Sequence, residues 1–277
     1  LTLMADILQH PRFDPAEFEQ LRKQILVSLE SSRNDPSQRA AEALLLRFDH
    51  YPPGDWRAAR TLDQRIAAVQ ALTLDDLKAF HRDFYGASSG EIAIVGDFDP
   101  DSAARVIQQN LAGWKSAAPY QRVLQDYAEV APTRQFINAP DKENGTYLAK
   151  LGLDIRDEDA DYPALVVANY LIGGASMKSR LADRVRQREG LSYSIGTSLT
   201  VGALSNAGQF GIGAIAAPQN LDKVDAAIRE ELQRLIAEGF TSEELERAKS
   251  GIRQQREQSR AQDDTISNGW VNLLDLD

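Results

Sequence analysis

Two side chains in the second half of the sequence have the types and the spacing needed to bind one oxygen atom together. The stretch RLADRVRQREGLSY, residues 180–193, predicts a charged helix that ends at Gly190 and a strand that follows directly. Glycine tolerates the positive φ of a sharp helix C-terminus, so the chain is predicted to turn there. Arg186 then lies in the last helical turn and Tyr193 at the start of the strand. Held close together, a guanidinium and a phenol can both donate hydrogen bonds to a carbonyl oxygen that develops negative charge.

From the pattern alone, a purely structural interpretation of this stretch is the stronger one. Arg180, Arg184 and Arg188 recur at a spacing of four, which is typical of a solvated helix face. A single tyrosine in a strand is usually a half-buried core residue. The residue pattern therefore leaves both interpretations open.

The longer stretch GGASMKSRLADRVRQREGLSYSIGTS resembles the C-terminal, non-catalytic half of the insulinase/pitrilysin family of zinc metallopeptidases. The shared pattern is two glycines, Ser-Arg-Leu, an arginine-bearing helix and Gly-Leu-x-Tyr-Ser. The resemblance extends over nearly the whole chain, from FDPAEFEQLRKQ to EGFTSEELERAKSGI. It implies that Arg186 and Tyr193 reach the zinc site of another domain and hold the substrate carbonyl there. It implies a peptide substrate without defining which peptide.

No zinc site is predicted within this chain. A hydrolytic HxxEH site needs two histidines one helical turn apart, whereas His10, His50 and His81 lie far from one another and cysteine is absent. The resemblance implies that the position of the family's third zinc ligand lies near Ser28 or Glu30, depending on the register. Without an imidazole pair we interpret Glu30 as a surface residue. The resemblance therefore implies that zinc is bound by an HxxEH-bearing domain or subunit, which would be the partner of this chain.

The composition excludes several other classes of partner. The 277 residues are 43% hydrophobic and 26% charged, with a formal net charge of −10, which argues against nucleic acid binding. No apolar stretch approaches the roughly 18 residues of a membrane span, so membrane insertion is not predicted.

The absence of cysteine is compatible with both cytoplasm and periplasm, and we expect the bacterial periplasm. The chain starts at Leu without a signal-peptide pattern, and we expect this start to be a cut.

An internal repeat predicts two homologous domains, both incomplete in this chain. FDPAEFE at 13–19 aligns with FTSEELE at 240–246, an offset of 227 residues (240 − 13) that is too long for a solenoid. Residues 1–115 are predicted to be the C-terminal part of one insulinase-like domain, 116–132 a linker, and 133–277 the N-terminal part of the second. The fold class is α+β, with a mixed, mostly antiparallel sheet and helices on one face in each domain. Missing strands would expose sheet edges, so we expect a dimer or larger assembly, or a longer protein.

Capping residues and apolar periodicity define the helices. Asp14 is predicted to cap a helix that starts at Pro15, and Thr73 to cap a later one. Thr241 or Ser242 is predicted to cap the helix of the second repeat. Four residues of the helix after Pro15 share one stripe and are predicted to face a core: Phe18, Leu21, Ile25 and Leu29.

Strands are predicted where short apolar stretches lie between turn residues. EIAIVGDF, residues 91–98, has the pattern of a short buried strand. Residues 134–140 are predicted to form a hairpin with GTYLAKLGLD, residues 145–154, through a turn at Asp141 to Gly145. Two further strands are predicted at about 192–201 and 207–216.

Two classes of function fit this sequence. In the first, the chain is the substrate-binding, non-catalytic segment of a zinc endopeptidase, and it is not an enzyme by itself because it lacks HxxEH. In the second, it is a peptidase-derived scaffold or peptide-binding subunit without catalysis. An HxxEH sequence in the same protein or in a co-purifying partner would favour the first.

Overall fold

The computed structural model describes residues 1–140, 142–175 and 178–276. Within that part the fold is α+β, with helices and a three-stranded antiparallel sheet, as the sequence predicts. The chain divides into two compact units, each built from separate stretches of sequence. The first unit comprises Leu1–Ser28, Arg65–Val123 and the part from Arg256 onwards, and the second comprises Leu29–Gln64 and Leu124–Gln255. The domain boundaries predicted at 115 and 133 separate two homologous repeats, whereas the two units are defined by their internal contacts. The predicted boundaries therefore stay a prediction.

The helices and strands are named here in chain order. The elements before the sheet are α1 (Thr2–Gln9), α2 (Pro15–Ser32), α3 (Pro36–Phe48), α4 (Leu62–Ala71), α5 (Leu74–Phe84) and α6 (Pro100–Leu111). They are followed by β1 (Gly145–Asp154), α7 (Tyr162–Asn169), β2 (Ser194–Thr200), β3 (Ala207–Ala216), α8 (Leu221–Glu238), α9 (Ser242–Ser259) and α10 (Asp263–Leu276). Among the described residues between α7 and β2, Tyr170–Gly174 and Ala182–Arg188 are π-helical. A short 3₁₀ turn, Pro218–Asn220, precedes α8.

The predicted helix caps are confirmed. The Asp14 carboxylate accepts hydrogen bonds from the backbone N–H groups of Ala16, at 2.8 Å, and Glu17, at 3.2 Å. In α5 the Thr73 hydroxyl accepts from the Asp76 N–H, and the Asp76 carboxylate accepts from the Thr73 N–H, which completes a capping box. These local hydrogen bonds satisfy N–H groups that a helix start leaves without partners, so nearby sequence suffices to predict them.

The sheet lies in the second unit and has the strand order β1-β3-β2, with both pairs antiparallel. The central strand β3 pairs Ala216 with Gly145 of β1, and Ile215 with Ser194 of β2. The predicted strands at 192–201 and 207–216 are thereby confirmed within two residues. The predicted hairpin of 134–140 with 145–154 is wrong: β1 pairs with β3, and the described residues 134–140 form no strand. The start of the predicted turn, Asp141, lies outside the described residues.

The hydrophobic core of the second unit lies between the sheet and α8. It contains Leu181 and Val185 from the segment before β2, Ile212, Ala214 and Ala216 from β3, and Val224, Ala227 and Ile228 from α8. The alternating inward positions of β3 and the 224/228 spacing of α8 bring these residues together on facing surfaces. The segment that carries Arg186 is therefore attached to the core of this unit.

Two predicted core features are not buried in the described part of the chain. Residues 91–98 form no strand, and Ile92, Ile94 and Phe98 are exposed. A strand needs a neighbour for its backbone hydrogen bonds, and none is present among the described residues. The apolar stripe of α2 is also open to solvent, because Leu21 and Ile25 are each about half exposed.

The internal repeat is visible in the bounds of the helices. Both α2 and α9 have 18 residues, and they are offset by 227 at their starts (242 − 15) and at their ends (259 − 32). The starts of α3 and α10 have the same offset (263 − 36). The correspondence therefore supports the proposed duplication over two consecutive helices, whereas the sequence alignment covered one.

None of the helices in the described part of the chain is both long enough and apolar enough to cross a membrane.

Candidate functional site

The predicted turn at Gly190 forms a corner between a helix and a strand, which we call the helix-to-strand corner (residues 182–193). Gly190 has a φ of +61°, the left-handed conformation that the sequence predicts for it. The Leu191 N–H donates to the Val185 carbonyl at 2.9 Å, and the Tyr193 N–H donates to the Ile215 carbonyl of β3 at 2.8 Å. Both ends of the turn are therefore fixed by backbone hydrogen bonds.

Arg186 and Tyr193 lie on opposite sides of this turn, and both are exposed. Arg186 is in the last turn of the π-helical segment, and Tyr193 immediately precedes β2. The Tyr193 residue is 63% exposed, so it is not the half-buried core tyrosine of the structural interpretation. Both side chains are presented on the surface of the second unit, where a ligand could reach them.

The helix before the corner differs from the predicted α-helix. Residues Ala182–Arg188 form a π-helix, in which the Glu189 N–H reaches back five residues to the Arg184 carbonyl at 3.3 Å. A π-helix has more residues per turn than an α-helix, so side-chain directions predicted from α-helical geometry do not apply to Ala182–Arg188. Such segments are rare and are frequent at functional sites.

The prediction of a single solvated arginine face is wrong for Arg180. Its side chain is only 16% exposed, whereas that of Arg188 is 67% exposed and pairs with Asp183 at 2.7 Å. Arg184 is intermediate and binds Glu189 and Glu230. The three arginines therefore have different environments, and the side chain of Arg180 is the most shielded from solvent.

Arg180 forms a two-pronged ion pair with Glu244, in the first turn of α9. Its Nε and Nη2 atoms donate to the two carboxylate oxygens of Glu244, each at 2.7 Å. Bidentate pairs of this kind are the stronger and more directional class of ionic hydrogen bond. The hydrogen bonds from Arg180 lower the pKa of Glu244 to about 2, with further hydrogen bonds from Thr241 acting in the same direction. Glu244 also completes the predicted cap of α9, because its carboxylate accepts from the Thr241 N–H at 2.8 Å.

A second carboxylate lies behind this pair. Glu231 of α8 is 1% exposed, accepts from Arg180 Nη1 at 3.5 Å, and accepts from Arg234 Nη2 at 2.6 Å to each oxygen. A buried carboxylate needs such partners because its charge is costly to desolvate. Sequence reasoning missed this cluster of Arg180, Glu231, Arg234 and Glu244. The sequence signal that could have indicated it was Arg180, directly before the apolar Leu181, together with Glu244 in the first turn of the predicted helix of the second repeat.

A groove of about 490 Å³ lies elsewhere on the second unit, between α3, β1, α8 and residues 130–139. Its polar wall contains Asp225, which accepts a hydrogen bond from the Tyr147 hydroxyl at 3.0 Å and pairs with Arg229 at 3.0 Å. Burial raises the pKa of Tyr147 to about 12, and the negative charge of Asp225 adds to the effect. Neither Arg186 nor Tyr193 is among the residues that line this groove.

The described residues do not offer a set of ligands for zinc. Among them, no group of three or more His, Cys, Asp or Glu side chains is placed to hold a metal ion. Glu30 is exposed and pairs with Arg33 at 3.0 Å, as expected for a surface residue. His81, which could have been a ligand by residue type, has its Nε2 atom 2.7 Å from the Leu8 carbonyl and packs edge-on against Phe13. We therefore derive no zinc-dependent step from this chain.

The second unit has an α+β fold that presents an arginine and a tyrosine at its surface and contains a separate charged cluster with one buried carboxylate, Glu231. The family model described as the peptidase M16 inactive domain matches residues 71–252, and the chain belongs to this family. The resemblance to the non-catalytic half of insulinase-like zinc peptidases is thereby confirmed.

Related proteins are longer than this chain. An uncharacterized zinc protease of Streptomyces coelicolor is 28% identical over 90% of this chain and 53% of its own length. A non-peptidase homolog of Helicobacter pylori is 22% identical over 90% of this chain and 56% of its own length. The crystal structure of a peptidase M16 inactive domain from Pseudomonas fluorescens superposes with a TM-score of 0.70 at 25% identity, covering 90% of this chain and 58% of that one. The chain therefore spans about half the length of the curated relatives it matches.

Proposed function

We propose that this chain is the substrate-binding, non-catalytic segment of a zinc-dependent endopeptidase, in which Arg186 and Tyr193 hold the scissile carbonyl. The observation that carries the proposal is their exposure on either side of a fixed turn, at the positions of the family motif. The zinc-binding HxxEH domain would be provided outside this chain, either in the same protein or by a partner subunit. The inactive-domain family and the zinc-protease relatives support this division of roles.

The chemistry of the two side chains suits an oxygen that gains negative charge. An arginine guanidinium is positively charged and offers several N–H donors, and a tyrosine phenol offers one O–H donor. A donor aimed at an oxyanion stabilises the transition state more than the substrate, which accelerates the chemical step. Removal of one such donor typically costs about 2.7–4 kcal/mol of transition-state stabilisation.

Backbone contacts explain how the donors can act without a large rearrangement. The Leu191 and Tyr193 N–H groups are bonded to the Val185 and Ile215 carbonyls, respectively. Fixed donors need little reorganisation during the reaction, and this preorganisation is the source of their catalytic effect. Only the rotamers of Arg186 and Tyr193 would have to adjust to a bound peptide.

The test is a conservative substitution in the complete protein, together with any subunit that carries HxxEH. Tyr193→Phe removes the hydroxyl and retains the ring, so turnover of a peptide substrate should fall about a hundredfold, with the melting temperature changed by only a few degrees. Tyr120→Phe is the matched control, since Tyr120 is another tyrosine with a 58% exposed residue surface. Unchanged turnover in Tyr193→Phe would remove this residue from the mechanism.

A second function, a scaffold or peptide-binding subunit without catalysis, is favoured by one of the comparisons. The Helicobacter pylori relative, which matches 90% of this chain, is named a non-peptidase homolog. Under this proposal the complete protein and its co-purifying partners would bind peptide without cleaving it. Reading the full open reading frame and those of its partners for HxxEH, followed by a peptide cleavage assay, separates the two functions.

The bacterial periplasm and a dimer or larger assembly remain part of the proposal. Cell fractionation would test the compartment, and the mass of the complete protein in solution would test the assembly.

A further inference from the structure

We propose that Arg180 is a positioning residue, which holds the π-helical segment in the register that presents Arg186 at the helix-to-strand corner. The inference rests on the proposed function, because it concerns how the two donors of that function are placed. It is carried by the partly buried ionic cluster around Arg180, two residues before the segment, and by the π-helical geometry of the segment itself.

The first step concerns what Arg180 connects. Its guanidinium binds Glu244 through two hydrogen bonds of 2.7 Å and lies 3.5 Å from Glu231, so it joins the start of the segment to both α9 and α8. It also donates to the Gly239 carbonyl at 3.4 Å and lies 5.7 Å from the ring centre of Phe240. One side chain thus contacts the end of α8, the loop that follows it and the first turn of α9.

The second step concerns why the segment needs an anchor. A π-helix is rare and usually depends on tertiary contacts, because hydrogen bonds to the fourth residue back are normally preferred. If Ala182–Arg188 returned to α-helical bonding, each successive side chain would be rotated around the helix axis relative to the observed structure. Arg186 lies six residues after Arg180, so the rotation would accumulate before it reached the corner.

The third step concerns the other contacts of the segment. Leu181 and Val185 are fully buried against α8, which fixes the distance of the segment from the core. Apolar contacts are not directional, so they tolerate a rotation of the segment better than a bidentate ion pair does. Arg184 binds Glu189 and Glu230 near the corner, but Glu230 has a 62% exposed side chain. The pair between Arg180 and Glu244 is therefore the more strongly directional contact.

The test uses two substitutions that break the pair and one that does not. Arg180→Met removes the charge while keeping much of the side-chain length, and Glu244→Gln removes the opposite charge at similar volume. Glu246→Gln is the matched control, because Glu246 lies on the same helix and pairs with Lys249 at 2.8 Å at the surface, with a 73% exposed side chain. Arg180→Lys keeps the positive charge but cannot form the two-pronged pair.

The first measurement is amide hydrogen exchange in the complete protein. We expect Arg180→Met and Glu244→Gln to accelerate exchange at Leu191 and Tyr193 about tenfold, with Glu246→Gln unchanged. Arg180→Lys should be intermediate. Unchanged exchange at the corner in both pair-breaking variants would overturn the proposal. An equal acceleration across the whole second unit would also overturn it, because the pair would then serve general stability.

The second measurement is peptide turnover by the same variants. A misplaced donor weakens transition-state binding, so kcat should fall about tenfold while KM stays within about twofold, and Arg180→Lys should recover part of the loss. If Tyr193→Phe reduces turnover but the pair-breaking variants do not, positioning by Arg180 is refuted and the proposed function stands. If Tyr193→Phe leaves turnover unchanged while exchange at the corner is accelerated, the role of Tyr193 in the proposed function is refuted and the anchoring by Arg180 is supported.

Discussion

Gly173 is packed so closely against β2 that the effect of replacing it on protein stability can be predicted. It lies in the π-helical segment Tyr170–Gly174, is buried, and faces β2. A Cβ atom at this position would lie 2.5 Å from Thr197 Cγ2, 2.7 Å from Thr197 Oγ1 and 2.7 Å from the Thr197 backbone N. Real Cβ atoms essentially never approach other heavy atoms so closely, so Gly173→Ala must displace β2 or the π-helical segment.

The expected cost follows from two opposing terms. Overpacking of a core typically costs about 1–3 kcal/mol, and the contact with a backbone atom of β2 places this substitution near the upper end. Replacing glycine by alanine in a helix raises the free energy of unfolding by about 0.5–1 kcal/mol, because alanine loses less backbone entropy on folding. We therefore expect Gly173→Ala to reduce the free energy of unfolding by about 2 kcal/mol.

The assay is urea unfolding of the complete protein followed by circular dichroism, with linear extrapolation to water. Gly269→Ala is the control, because Gly269 lies inside α10 and a Cβ atom there meets nothing within 4 Å. It should raise stability by about 0.5–1 kcal/mol. Thr197→Ala removes two of the three close contacts of the added Cβ, so the double variant should recover part of the loss. Wild-type stability in Gly173→Ala, or strictly additive effects of the two substitutions, would refute this account of the packing.

Two further predictions concern the groove and the corner. The pKa of Tyr147 is raised from 10.0 to about 12 by burial and by Asp225, so its contribution to stability is fully present below pH 10 and is lost as the pH rises towards 12. Unfolding experiments should therefore show that the stability difference between wild type and Tyr147→Phe narrows over that range, and a constant difference would contradict the assignment. Gly190→Ala should cost about 1 kcal/mol in urea unfolding, because φ is +61° and the surroundings are open, whereas Gly190→Asn should cost less. Equal losses for Ala and Asn would count against a purely conformational cause.

Local signals in the sequence predicted the helices well because the interactions that define helix ends are local. The hydrogen bonds of Asp14 and Thr73 connect residues no more than three positions apart, and both caps are present. Glycine at position 190 was predicted for the same reason, since its requirement for positive φ depends on one residue. The offset of 227 residues, first seen in a short alignment, also holds for both bounds of α2 and α9 and for the starts of α3 and α10.

Predictions that needed a distant partner were less successful. The strand at 91–98 was predicted from its composition, but no neighbouring strand pairs with it among the described residues. The hairpin with 134–140 was predicted from proximity in sequence, whereas β1 pairs with β3, which follows it by more than fifty residues. Apolar periodicity predicts that one face of a helix or strand can be buried, but it does not predict which other element packs on that face.

The sequence by itself determined the α+β class, the helix caps at Asp14, Thr73 and Thr241, the positions of β2 and β3, the turn at Gly190 and the motif that contains Arg186 and Tyr193. Tertiary structure alone decided that the helix before the turn is a π-helix, that Arg180 is largely shielded from solvent by its contacts with Glu231 and Glu244, and that Tyr193 is exposed. The physical reason is the range of the interactions. Caps, turns and periodicity arise from residues a few positions apart, whereas the burial of an arginine depends on carboxylates 51 and 64 residues further along the chain.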